Sequence, residues 1–124
     1  MDFRTWDSYP PSDADNEMRR VFFAVFDKAG RDISLGAKLP SLFMQAGLGR
    51  PDGTRVDGQL NSHSGMNVAA YQSVLPIALK FGITTEEASR TVIESFEEEL
   101  EDKSRYGLWP LCIGAWKRKP LSGQ

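Results

Sequence analysis

Apolar positions recur at helical spacing in four stretches of the chain. Met18, Phe22, Val25, Phe26 and Ala29 share one stripe, widened by Val21 and Phe23, and predict a helix over 13–29 that Ser12 or Asp13 caps and Gly30 ends. Leu35, Leu39, Leu42 and Phe43 predict a second helix over 34–46, with Pro40 early in it and Gly47 at its exit. A third runs from Asn67 to Phe81, and Pro76 in its middle is expected to kink or split it. The fourth spans about 85–102, opened by a Thr84–Glu87 capping box, with Ala88, Val92, Ile93, Phe96 and Leu100 facing inward. Its other face carries Glu94, Glu97, Glu98, Glu99 and Glu101, read as solvated because consecutive carboxylates fan around a helix and do not converge on a metal.

Two stretches have strand character. Thr54 to Leu60 alternates, with Val56 and Leu60 on one side. Leu108 to Trp116 is apolar at both alternating sets of positions, so it is expected to be one strand covered on both faces. Such a strand needs neighbours, and 54–60 is the one clear partner, with a short piece at Asp2-Phe3 besides. The pattern therefore predicts one α+β domain over 1–124. It consists of a lead-in segment 1–12 broken by Pro10-Pro11, a helix 13–29, a helix and strand over 34–61, helices over 67–102 and a final strand 108–118. Four helices accompany a two- or three-stranded sheet with an antiparallel, hairpin-like pair.

Charge and composition narrow the function classes. Fifteen basic and 17 acidic residues leave a net charge of -2, without an overall attraction to nucleic acid or anionic membrane. Arg19-Arg20 and Lys117-Arg118-Lys119 are short clusters that suit a solvated surface. No apolar run approaches the roughly 18 residues that cross a bilayer, and the first residues lack the apolar core of a signal peptide, so a cytoplasmic address is expected by default. A single cysteine, Cys112, rules out an internal disulfide, and one histidine with one cysteine makes no typical zinc site. Gly47-Leu48-Gly49 follows a helix, whereas a nucleotide-binding loop follows a strand. His63, in a small polar loop, is the only candidate general base. Trp6 and Tyr9, in an irregular segment, suit either a pocket wall or packing.

Two segments, taken in order, resemble a known family. Residues 30–48, with Gly30, Leu39-Pro40, Phe43 and Ala46-Gly47-Leu48, resemble the helix before strand six of class I S-adenosylmethionine-dependent methyltransferases. Residues 108–120, ending Trp116-Lys117-Arg118-Lys119-Pro120, resemble their seventh, antiparallel strand, and Met1-Asp2-Phe3 resembles the end of strand five. The resemblance implies a Rossmann-like sheet of which this chain holds the C-terminal, substrate side. The 13–29 helix would be a lid, and the Gly-rich loop and acidic residue that hold S-adenosylmethionine have no counterpart in these residues. The chain alone is then expected neither to bind the cofactor nor to catalyse. The implied acceptor is a small aromatic or hydrophobic molecule, with Trp6, Tyr9, Phe22, Phe23, Phe26, His63, Tyr106 and Trp109 gathered around it beyond the carboxyl ends of the parallel strands. The partner is a cofactor-binding half or a second copy of the chain. The competing reading is a self-standing, non-enzymatic homodimeric module that binds a hydrophobic ligand or a partner protein.

Overall fold

The structure, a computed structural model, describes residues 1–48, 54–59, 66–108 and 110–118. His63 and Trp109 lie outside the described residues. A 3-10 turn over Phe3–Thr5 leads into β1 (Asp7–Tyr9) and α1 (Asp13–Lys28). Then come α2 (Leu35–Gln45), β2 (Arg55–Gln59), α3 (Met66–Lys80), α4 (Glu86–Glu101), β3 (Tyr106–Leu108) and β4 (Cys112–Trp116). The described residues thus form a mixed α+β fold of four helices and two small antiparallel two-stranded sheets.

The helix ends follow from local chemistry. The Ser12 hydroxyl accepts the Asp15 N–H at 3.0 Å, and Asp13 and Asp15 place negative charge where the α1 dipole is positive. Gly30 and Gly47 leave α1 and α2 with φ of 66° and 69°, a conformation that costs glycine little. At α4 the expected cap moves by one residue: Thr85, not Thr84, is the N-cap and accepts the Ala88 N–H at 3.1 Å. Thr84 is buried instead, and the reciprocal capping box is not the one the sequence suggested.

The prolines act differently at different places in the chain. Pro76 lies within α3 without splitting it, and Pro40 lies within α2. Pro110, in contrast, interrupts what looked like one strand from Leu108 to Trp116, leaving β3 and β4 as members of different sheets. Proline brings no N–H to a ladder, and the next N–H, that of Leu111, is donated to the Thr5 hydroxyl at 2.7 Å. Nor is this stretch covered on both faces, because Gly114 and Trp116 of β4 are exposed.

The core lies between α1, α3 and α4. Met18, Val21, Phe22 and Val25 of α1 meet Val68, Tyr71, Val74 and Ala78 of α3 and Phe96 of α4, all buried. Trp6, 1% exposed, closes one end of it. Two positions expected inside, Ala29 and Ala88, are exposed, the first as the α1 C-cap and the second in the first turn of α4. The second sheet is thinner. β2 pairs with β4 in the register Arg55↔Trp116, Val56↔Ala115, Asp57↔Gly114, Gly58↔Ile113 and Gln59↔Cys112, and every residue of β2 is exposed. Asp2 bridges Leu111 antiparallel on the other side of that strand run, its N–H donating to the Leu111 carbonyl at 2.8 Å. α2 packs on β4 and is tied to the same segment, where the Gly36 N–H reaches the Met1 carbonyl at 3.3 Å. A Cβ at Gly36 would stand 3.0 Å from the Met1 backbone, so only glycine fits this approach without displacing a neighbour.

Candidate functional site

Six of the eight aromatic and histidine positions singled out in the sequence are described, and they separate into two groups. Trp6, Phe22, Phe23 and Phe26 cluster with Phe3. Phe22 and Phe26 stack with centroids 4.5 Å apart, and Trp6 meets Phe22 and Phe23 edge-on at 5.6 and 6.4 Å. Trp6 Nε1 donates to Asp15 Oδ1 at 2.9 Å, and Asn67 Nδ2 donates to the same oxygen at 3.1 Å. This group is packing material at the junction of the lead-in segment, α1 and α3. Tyr9 and Tyr106 form the second group, opposite each other in the β1–β3 ribbon and both exposed.

Beside that ribbon lies a cavity of about 380 Å³. Phe96 and Leu100 of α4, Pro10 and Tyr106 give it apolar walls, and Ser8 and Gly107 bring the edge of the ribbon. The chain reaches it through a cis Tyr9–Pro10 peptide and turns into α1 at Ser12. Ser12 is buried and joins two helices, since it caps α1 and donates its hydroxyl proton to Glu99 Oε2 at 2.5 Å. Glu99, read in the sequence as part of a solvated acidic face, is therefore half-buried and turned to the cavity. The signal that could have found it is its place three residues beyond Phe96, on the inward side of the helix.

The other charges at the cavity are engaged locally. Asp102 accepts the Ser104 hydroxyl at 2.7 Å and the Ser104 N–H at 3.0 Å. These bonds, with Arg105 nearby, hold its carboxyl below the usual range. Arg105 lies 3.8 Å from Asp102 and donates to the Pro10 carbonyl at 3.4 Å, while Lys103 donates to the Leu100 carbonyl at 3.3 Å. Two acids and two bases thus balance at the mouth, and Glu99 is the carboxylate set against the apolar walls. Such a site suits a small, uncharged molecule that offers an O–H or N–H to Glu99.

Little else among the described residues offers reactive chemistry. Among the described residues no cluster of His, Cys, Asp and Glu could hold a metal ion. Cys112 is half-buried, its thiol 3.8 Å from the Pro110 carbonyl. No helix among the described residues is long and apolar enough to cross a membrane. No protein-family model matches the chain, and no curated protein matches it.

Proposed function

We propose that this chain is the acceptor-side portion of a class I S-adenosylmethionine-dependent small-molecule methyltransferase, and that the cavity beside β1 and β3 takes part in holding the methyl acceptor. One observation carries the reading. The segments that resemble strands five and seven meet in a single arrangement with β2, the strand that follows the helix resembling the one before strand six, and β4 runs antiparallel both to β2 and to the bridge at Asp2. Two strands that are each antiparallel to a third run parallel to each other, so the arrangement agrees with two parallel strands and one reversed strand. The helix expected before strand six, α2, packs on β4, which supports the same reading.

The cavity agrees with it as well. In open α/β sheets ligands bind beyond the carboxyl ends of the parallel strands. β1 leaves the bridged residue Asp2 at that end, and β3 enters it just before Leu111, so the ribbon that lines the cavity stands over this edge. S-adenosylmethionine would be held by a cofactor-binding half joined to this one, and Glu99 would orient a hydroxyl or amine of the acceptor.

The test is a titration in two forms. The chain alone is expected to give no heat with S-adenosylmethionine. The same residues fused behind the cofactor-binding half of a class I methyltransferase are expected to give a folded protein that binds it. Micromolar binding by the chain alone overturns the reading, as does a fusion in which both parts fold without docking and Asp2 gains no hydrogen-exchange protection.

A further inference from the structure

The edge of β2 that faces away from β4 carries a short self-complementary sequence. Arg55, Val56 and Asp57 are consecutive and exposed, and Val56, at 52%, is among the more exposed large apolar residues of the protein. Among the described residues β2 pairs with β4 alone, and no strand lies along its other edge. An open edge of this kind recruits another strand unless charge or distortion prevents it.

We propose that a second copy of this chain pairs antiparallel along β2, with Val56 on the two-fold axis. This does not depend on the methyltransferase reading, because it uses the side of the sheet away from Asp2. In an antiparallel ladder successive residues turn their N–H and C=O to alternate sides. The Gly58 N–H is donated at 2.9 Å to the neighbouring Asp57 carboxylate, which points to the even-numbered residues as those facing outward. Val56 then exchanges both backbone bonds with Val56 of the second copy, and Thr54 and Gly58 form the next bonded pairs. Arg55 falls opposite Asp57 at the intervening positions, where opposed side chains lie closest. The two-fold axis makes this pair twice. On docking, the Asp57 carboxylate exchanges the Gly58 N–H for an arginine, and Gly58 gives its N–H to the Thr54 carbonyl across the axis. Thus the contact leaves no charge unmatched and covers the exposed valine. A register centred on Asp57 would set two carboxylates face to face, so charge selects the register centred on Val56.

Analytical ultracentrifugation of the full chain tests the proposal by charge exchange. The unaltered chain is expected to dimerise with rising concentration. Asp57→Arg alone or Arg55→Asp alone sets like charges in both pairs and is expected to weaken the dimer roughly tenfold or more. The double variant Arg55→Asp/Asp57→Arg is expected to restore it. An equimolar mixture of the two single variants is expected to associate although neither does so by itself. Circular dichroism matching the unaltered chain shows that each variant folds, and the mixing result holds even if one variant is less stable. An unaltered chain that stays monomeric overturns the proposal, as does a dimer indifferent to these exchanges.

Discussion

At the scale of single residues, polar partners decide where an aromatic side chain goes. Trp6 looked in the sequence like a pocket wall or a packing residue, and the indole N–H settles its place by reaching a buried carboxylate nine positions along. The acid that receives it, Asp15, reads in the sequence only as a charge in the first turn of a helix. Trp6→Phe keeps most of the apolar contact but removes the donor, and weakening a buried bond to a charged group costs about 1–3 kcal/mol. Urea unfolding followed by circular dichroism is expected to show a loss of that size, and a change below about 0.5 kcal/mol would mean that the bond contributes nothing measurable. Asp32 makes the opposite case on the surface. Lys38 and then the N–H and hydroxyl of Ser34 hold its carboxyl down to about 2, against a usual 3.8. Since the folded value is depressed, this group's contribution to stability is complete above the usual value and fades as the pH falls through about 2. A carboxyl NMR titration is expected to give an Asp32 midpoint near 2 that rises towards 3.8 in Lys38→Ala.

Secondary structure was legible wherever the periodicity was long. The stripe of Met18, Phe22 and Val25 marks α1 to within a residue at its N-terminus, and the glycines after α1 and α2 mark where those helices stop. Caps were less legible, because Thr84 and Thr85 are adjacent and both can accept an N–H. Thr84 sits where its side chain is buried, which leaves Thr85 as the exposed capping residue. Thr85→Ala is therefore expected to cost about 1 kcal/mol through the lost bond to Ala88. Thr85→Ser, which keeps the acceptor, is expected to cost only a fraction of that. A Thr85→Ala chain with unchanged thermal midpoint would place the cap elsewhere. The strand at 108–116 misled for a physical reason. Apolar content alone does not report hydrogen-bond direction, and the Leu111 N–H is taken by a side chain 106 positions away. With that bond and Pro110, the run becomes the ends of two different sheets. Neighbours for the run come from two places, because Leu111 bridges Asp2 and β4 pairs with β2. The cavity was partly legible, since Tyr106 was named, whereas Ser12 and Glu99, 87 positions apart, meet only in the folded chain.

Across the whole molecule, burial is unevenly shared. The packing of α1, α3 and α4 holds nearly all the buried apolar side chains, with Met18, Val21, Tyr71 and Ala78 fully enclosed. By comparison β2 is exposed throughout, and α2 has Leu35, Leu42 and Met44 at the surface, with Gly36 its one buried residue. Free energies of local opening follow buried apolar contact, so the two parts are expected to open separately under native conditions. Hydrogen exchange in low denaturant provides the measurement. Amides in the middle of α1 and α3 are expected to exchange only through global unfolding, with a steep dependence on denaturant. Those of β2, β4 and α2 are expected to exchange through a smaller opening with a shallow dependence, because less surface is exposed. Docking of another strand along β2, or of a cofactor-binding half at Asp2, adds cover to this thinner part and is expected to raise its protection towards that of the helices. Equal protection in both parts at a concentration where the chain is monomeric would show that the small sheet is held as firmly as the helical core. The edge of β2 and the bridge at Asp2 would then be finished surfaces, and neither would need a partner to become stable.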